Sequence, residues 1–153
     1  MEIVSPTPLN SDEDAAWRAL TYVANHLVKT LGEDLAQDSS LSVSEYVVLV
    51  HLSEAEGRRL RIGEVAAVAG LSPSRMSRLV EQMATDGLVM KKQLGDDARC
   101  MAAEMTDAGL DALEEAYPIQ LGNVRRRVFD HLNPMEVQVL AQALAKVRAG
   151  LDL

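Results

Sequence analysis

Cysteine occurs once in the 153 residues, at Cys100. That excludes an intramolecular disulfide framework and any multi-cysteine metal site. Histidine is nearly as sparse. His26, His51 and His131 stand on separate stretches with no cysteine, histidine or aspartate at ligand spacing, so they read as helix-surface or core residues and imply no metal. No G-x-S-x-G element, glycine-rich phosphate loop or C-x-x-C pair is present, which leaves an enzyme without an assembled site and implies no cofactor. The acidic runs Asp12-Glu13-Asp14 and Glu114-Glu115 read as helix-capping charge and solvated face. No apolar run approaches the ~18–20 residues that a membrane helix needs. The first ten residues have neither a basic start nor an apolar stretch of the secretory kind. The expectation is a soluble, cytoplasmic protein that makes no membrane contact.

What is present suits one domain spanning 1–153. Hydrophobic residues make up 48% and charged residues 25%, a globular balance. A chain of this size buries roughly 68–70% of its unfolded surface and needs no staples. Net charge is −8, which at first argues against a nucleic-acid partner. Its distribution reverses that reading. Between Arg58 and Arg99 eight basic residues face five acidic ones, a net of +3, while the remainder carries seven basic against eighteen acidic, a net of −11. A basic centre with acidic flanks can bind a polyanion on one face and stay soluble through the rest.

Helix signals dominate the chain. Ser11 with Asp14 has the form of a capping box, followed by Ala16, Leu20, Val23, Leu27 and Leu31 at helical spacing. Ser42 with Glu45 forms a second box, and Gly57 is placed to end the helix it opens. Shorter helices are predicted over Gly63–Ala69 and Ser74–Thr85. Leu88–Leu94 and Arg99–Met105 flank the turn-like Gly95-Asp96-Asp97-Ala98 and suggest a small hairpin. The second arm lacks β-branched residues, so propensity favours helix there about as much as strand. Thr106 can cap a further helix that Pro118 is expected to kink or restart. Asn133-Pro134 opens a last helix through Leu140, Leu144, Val147 and Leu151. The fold class is therefore mainly α with a small β-hairpin.

The stretch from Glu64 to Val80 carries the most information. Relative to Gly70, which can take a left-handed turn, Val65, Ala66, Ala69, Leu71, Met76 and Leu79 sit at −5, −4, −1, +1, +6 and +9. Those are the positions where two steeply crossing helices bury small and apolar side chains. Ser72 and Pro73 fix the start of the second helix, leaving Ser74, Arg75, Ser77 and Arg78 outward near its N-terminal half. Small hydroxyls permit close approach in a DNA major groove, and arginines read guanine edges or clamp phosphates. On the hairpin, Lys91 and Lys92 lie on the first arm and Arg99 at the base of the second. Asp97 is close enough to orient the Arg99 guanidinium, which suits a narrow, electronegative minor groove.

These residues in order resemble the MarR family of bacterial winged-helix transcriptional regulators. The likeness runs from about Ala15 to Leu151. It is carried by Arg61-Ile62-Gly63-Glu64-Val65-Ala66, Gly70-Leu71-Ser72-Pro73-Ser74-Arg75-Met76-Ser77-Arg78-Leu79-Val80, Asp86-Gly87-Leu88-Val89, Asp97-Ala98-Arg99 and Thr106-Asp107-Ala108-Gly109. The second arm departs from the family pattern, with Ala98 before Arg99 and Cys100-Met101-Ala102-Ala103 after it.

The resemblance implies a winged helix-turn-helix lobe at about 42–106, with dimerisation helices at about 11–35 and 107–151. It also implies a homodimer on a pseudo-palindromic double-stranded DNA operator, usually a repressor, often released by a small aromatic or anionic effector or by an oxidant. Ser72, Ser74, Arg75, Ser77, Arg78, Lys91, Lys92, Asp97 and Arg99 are the candidate DNA-binding residues. Apolar stripes at Leu20, Val23, Leu27, Leu140, Leu144 and Val147 fit dimerisation, because the winged lobe does not need those helices. Trp17, Arg18, Tyr22, His26 and Tyr46 could line an effector pocket. Cys100 reads as a small buried hydrophobe whose pKa the adjacent Arg99 could lower. The competing reading is a winged-helix dimer that serves as a protein-interaction module.

Overall fold

A computed structural model describes residues 7–93 and 101–151. Local capping chemistry sets most of the helix starts. Helix α1 (Ser11–Asp38) is capped by Asn10, whose side chain accepts from the backbone N–H groups of Asp12 and Glu13 while Glu13 reaches back to the Asn10 N–H. The box is thus one residue earlier than Ser11 with Asp14, because Asn10 already has the extended backbone a cap requires. Helix α2 (Val43–Glu54) begins at the expected Ser42–Glu45 box. It ends at Ala55, and Gly57 instead takes the left-handed step (φ 63°) of the short turn that follows.

That turn leads into β1 (Arg59–Arg61), a three-residue strand absent from the sequence reading. Helices α3 (Ile62–Val68) and α4 (Pro73–Thr85) come next, joined through Gly70 at φ 64°. Leu71 N–H donates to the Ala66 carbonyl across the turn. Val65, Ala66 and Met76 are buried at the crossing, with Ala69, Leu71 and Leu79 packed beside them. The ambiguous second arm is a strand: β2 (Val89–Gln93) and β3 (Met101–Met105) pair antiparallel, and β3 also pairs with β1, giving the order β1-β3-β2. As the central strand, β3 carries fully buried Ala102 and Ala103. Ala103 faces the core, opposite Leu60 and Lys91; Ala102 lies on the other face between Arg61 and Lys92.

Helix α5 (Asp107–Arg127) runs through Pro118 without a restart. Pro118 is exposed, so the Glu114 carbonyl that loses its helical donor can reach water. Helix α6 (Pro134–Leu151) opens at Asn133, which exchanges capping bonds with Glu136. The core joins Leu35 and Leu41 to Val48, Leu49 and Leu52 of α2. It continues through Val65, Met76, Val80 and Met83 to Val89, Ala103 and Met105, and closes on Leu113 and Ala116 of α5. The C-terminal end of α1 and the first half of α5 therefore belong to the same core as the winged lobe. No helix among the described residues is long and apolar enough to cross a membrane.

Candidate nucleic-acid interface

Helix α4 is strongly two-sided. Met76, Val80 and Met83 are buried, and the opposite face presents Ser74, Ser77, Arg78 and Glu81, with Arg75 on its shoulder; all five are exposed. Ser72 caps the helix by accepting from the Arg75 N–H, and its hydroxyl lies 3.3 Å from that of Ser74. Pro73 at the first position needs no hydrogen-bond acceptor there. The helix thus begins with the positive end of its dipole beside two hydroxyls and two guanidinium groups, an arrangement that attracts anions. Between the start of this helix and the sheet lies a cleft of about 500 Å³ lined by Arg61, Glu64, Pro73, Ser77, Lys91 and Met101.

The two hairpin lysines are placed differently from the helix arginines. Lys91 Nζ sits 3.2 Å from Glu81 Oε1, back on α4. Lys92 Nζ sits 2.7 Å from Glu104 Oε1, and the other Glu104 oxygen is 3.8 Å from Arg59 Nη1. Arg75 and Arg78 make no ion pair among the described residues. Asp97, Arg99 and Cys100 lie outside the described residues. Sequence spacing pointed to neither Glu81 nor Glu104. The position of Glu81 on the row of Ser74, Ser77 and Arg78 was a readable signal; that of Glu104 depends on strand register.

A junction ties this surface to α5. Thr106 Oγ1 donates to the Gly87 carbonyl at 2.6 Å, lies 3.1 Å from that of Leu88, and accepts from the Gly109 N–H at 3.0 Å. Thr106 N–H donates to the Leu88 carbonyl. A Cβ on Gly109 would collide with that carbonyl oxygen. The Thr106-Asp107-Ala108-Gly109 series therefore has a physical reason: only glycine lets α5 approach the chain leaving α4 so closely.

Away from this surface, Asp34 near the end of α1 is buried under α5. It accepts two hydrogen bonds from Arg127, at 2.7 and 2.8 Å, with Arg126 Nη2 at 3.3 Å. The Arg127 hydrogen bonds, aided by Arg126 and opposed by burial, hold its carboxyl down at about 2. The same pair raises the Arg127 guanidinium.

The residues considered for an effector are dispersed within one chain. Trp17 and Tyr22 are exposed on α1, Arg18 pairs with Asp14 at 2.7 Å, and His26 stacks on Tyr22 at 4.1 Å between ring centres. Tyr46 is half-buried on α2, its hydroxyl pKa pushed up by burial and by nearby Tyr117. Of the apolar stripes, Val23, Leu140, Leu144 and Val147 are exposed, and Leu20 and Leu27 are partly so. No residue of α6 is buried.

Comparison with known proteins places this architecture. The sequence model of the MarR family matches residues 39–99. The crystal structure of Sco3205, a MarR family transcriptional regulator from Streptomyces coelicolor in complex with DNA, superposes with a TM-score of 0.88. It is 31% identical, over 98% of this chain and 94% of that one. AbsC, a MarR family regulator from the same organism, is also 31% identical, with a TM-score of 0.84 over 96% of this chain and 99% of its own. The transcriptional repressor MprA of Escherichia coli strain K12 is 22% identical over 87% of this chain and 77% of its own length. With a winged helix-turn-helix lobe, flanking helices and relatives of this identity over nearly the whole chain, the protein belongs to the MarR family, whose members are transcriptional regulators rather than enzymes.

Proposed function

We propose that the protein is a sequence-specific double-stranded DNA-binding repressor that acts as a homodimer on a pseudo-palindromic operator. The observation that carries this reading is the outward face of α4. Ser74, Ser77 and Arg78, with Arg75 beside them, stand opposite a complete buried stripe at a capped helix N-terminus. In this reading those four residues and Ser72 meet base edges and phosphates in the major groove. Lys91, Lys92 and Arg99 engage backbone and minor groove, and Asp97 orients Arg99.

Dimerisation is supported by α6 and by the first half of α1. An apolar helix with no buried residue needs a second surface, and Leu20, Val23 and Leu27 with Leu140, Leu144 and Val147 supply one on each copy. Within the regions about 11–35 and 107–151, the residues not given to the lobe core, which holds Leu35, Leu113 and Ala116, are assigned to that interface. Repression follows by similarity to MprA, and DNA as the ligand by similarity to Sco3205. Release by a small aromatic or anionic effector would require Trp17, Arg18, Tyr22, His26 and Tyr46 to be drawn together between copies. A cytoplasmic location accords with this role.

Selection of bound fragments from randomised duplex DNA, repeated at two salt concentrations, tests the reading. The expected result is an enriched pseudo-palindrome with half-sites about one helical turn apart. No enrichment, with weak binding that disappears in moderate salt, would favour a protein-interaction module instead. In that enriched site, Arg78→Ala is expected to relax base preference by about 1–3 kcal/mol. Arg99→Ala is expected to weaken all sequences evenly.

A further inference from the structure

Two kinds of cation stand on the proposed reading surface and on β1 beside it. Arg75 and Arg78 on α4 have no carboxylate partner among the described residues, whereas Lys91, Lys92 and Arg59 are each held by one. The partners are placed by the fold and not by chance neighbours in sequence. Glu81 occupies the middle of the outward row of α4, three residues beyond Arg78 and opposite Met76, Val80 and Met83. Glu104 stands on the central strand, in register with Arg59 on one side and Met90 on the other, so one carboxylate spans both edge strands. Its side chain is only 20% exposed.

A cation engaged by an internal carboxylate brings little net charge to a phosphate and releases few counterions on binding. Exposed ion pairs are weak, about 0–1 kcal/mol, so a well-placed phosphate can displace the carboxylate. A poorly placed one cannot gain enough to do so.

We propose that Glu81 and Glu104 are specificity-determining counter-charges, which silence Lys91, Lys92 and Arg59 against an arbitrary duplex and yield them only where operator geometry sets phosphates within reach. The proposal rests on the DNA-binding reading above. It makes the two glutamates part of how the protein rejects the wrong DNA, beside the base contacts that Arg75 and Arg78 make in that reading.

The test uses the full chain, the selected operator and a shuffled duplex of equal length, with affinity measured across salt concentrations for E81Q, E104Q and the parent. On shuffled DNA the slope of log affinity against log salt is expected to steepen by about 0.9 for each freed cation. That amounts to roughly threefold tighter binding per cation on going from about 200 to 50 mM salt. On operator the slope is expected to stay at its parental value, so the ratio of specific to non-specific affinity falls. Adding K92Q to E104Q is expected to reverse part of the steepening. Should E104Q fail to fold, E81Q on the exposed face of α4 carries the test.

A parent that binds operator with slopes unmoved by both variants overturns the proposal and reduces the glutamates to structural braces. Equal steepening on operator and shuffled DNA also overturns it, since the carboxylates would then not discriminate. A parent that binds neither duplex overturns the DNA-binding reading and this proposal together.

Discussion

Helices α4 and α6 are both regular and well capped, yet they stand in opposite relations to the rest of the chain. Helix α4 buries Met76, Val80 and Met83 in the lobe and turns a polar, cationic face outward. Helix α6 is apolar on most sides, with Met135, Val139, Leu140, Leu144, Val147 and Leu151 all exposed and nothing buried. The first is completed by its own chain and keeps a face free for a charged ligand. The second is unsatisfied by its own chain, and its apolar surface far exceeds what an isolated helix tolerates in water. One polypeptide thus contains a finished head, proposed to read DNA, and an unfinished face, proposed as the dimer seam.

The sharpest way to break that contrast is at the seam. In the proposed symmetric dimer, Leu144→Glu replaces an apolar contact in both copies. At about 2 kcal/mol for each buried leucine, it is expected to weaken self-association about a thousandfold. Sedimentation would show monomers at micromolar concentration while far-UV circular dichroism keeps the lobe's signal. A variant that stays dimeric would place the seam elsewhere.

Next in size is the junction that makes the head finished. Gly109→Ala drives a methyl group onto the Leu88 carbonyl oxygen and is expected to cost about 1–3 kcal/mol in stability. The loss is read as a lower urea midpoint with self-association retained. Thr106→Val removes the hydroxyl bonds to Gly87 and Gly109 and is expected to cost about 1 kcal/mol, which Thr106→Ser largely restores.

The smallest effect is present in full at neutral pH and vanishes only in acid. Asp34 has its pKa depressed to about 2 by Arg127 and Arg126. Its stabilisation is therefore complete above the ordinary carboxylate range, near pH 4, and is lost as pH falls through 2. The gap in melting temperature between the parent and Asp34→Asn is expected to be constant above about pH 4 and to close toward pH 2. A gap that does not narrow would show that the carboxyl is not charged through this range.

Local rules made much of the fold legible. The spacing about Gly70 gave the helix pair, and Ser42, Ser72-Pro73, Thr106 and Asn133-Pro134 each mark a helix start in the structure. What escaped depends on partners distant in sequence. Strand β1 is Arg-Leu-Arg, too short for any period to register. Strand β3 has alanines at its two fully buried positions, Ala102 and Ala103, because it is paired on both edges, a property of its neighbours rather than of its own propensity. Pro118 looked like a break because its exposure, which makes the lost bond tolerable, cannot be read from one position.

At the interface, the hydroxyls and arginines of α4 followed from helix geometry alone. The Glu81 and Glu104 partners of the lysines did not, since each pairing waits on the packing of the hairpin against α4 or on strand register. Asp34 and Arg127, 93 positions apart, show the same limit.

The bonds from Thr106 to Gly87 and Leu88 close the chain on itself at the root of the hairpin. The arms Val89–Gln93 and Met101–Met105 are gathered at this root like cloth on a drawstring, and β3 is stitched a second time along its length by β1. The mutual placement of α4 and α5 is thus set at the root of the arms. What carries the wing and what the wing presents are therefore decided at different places along the chain.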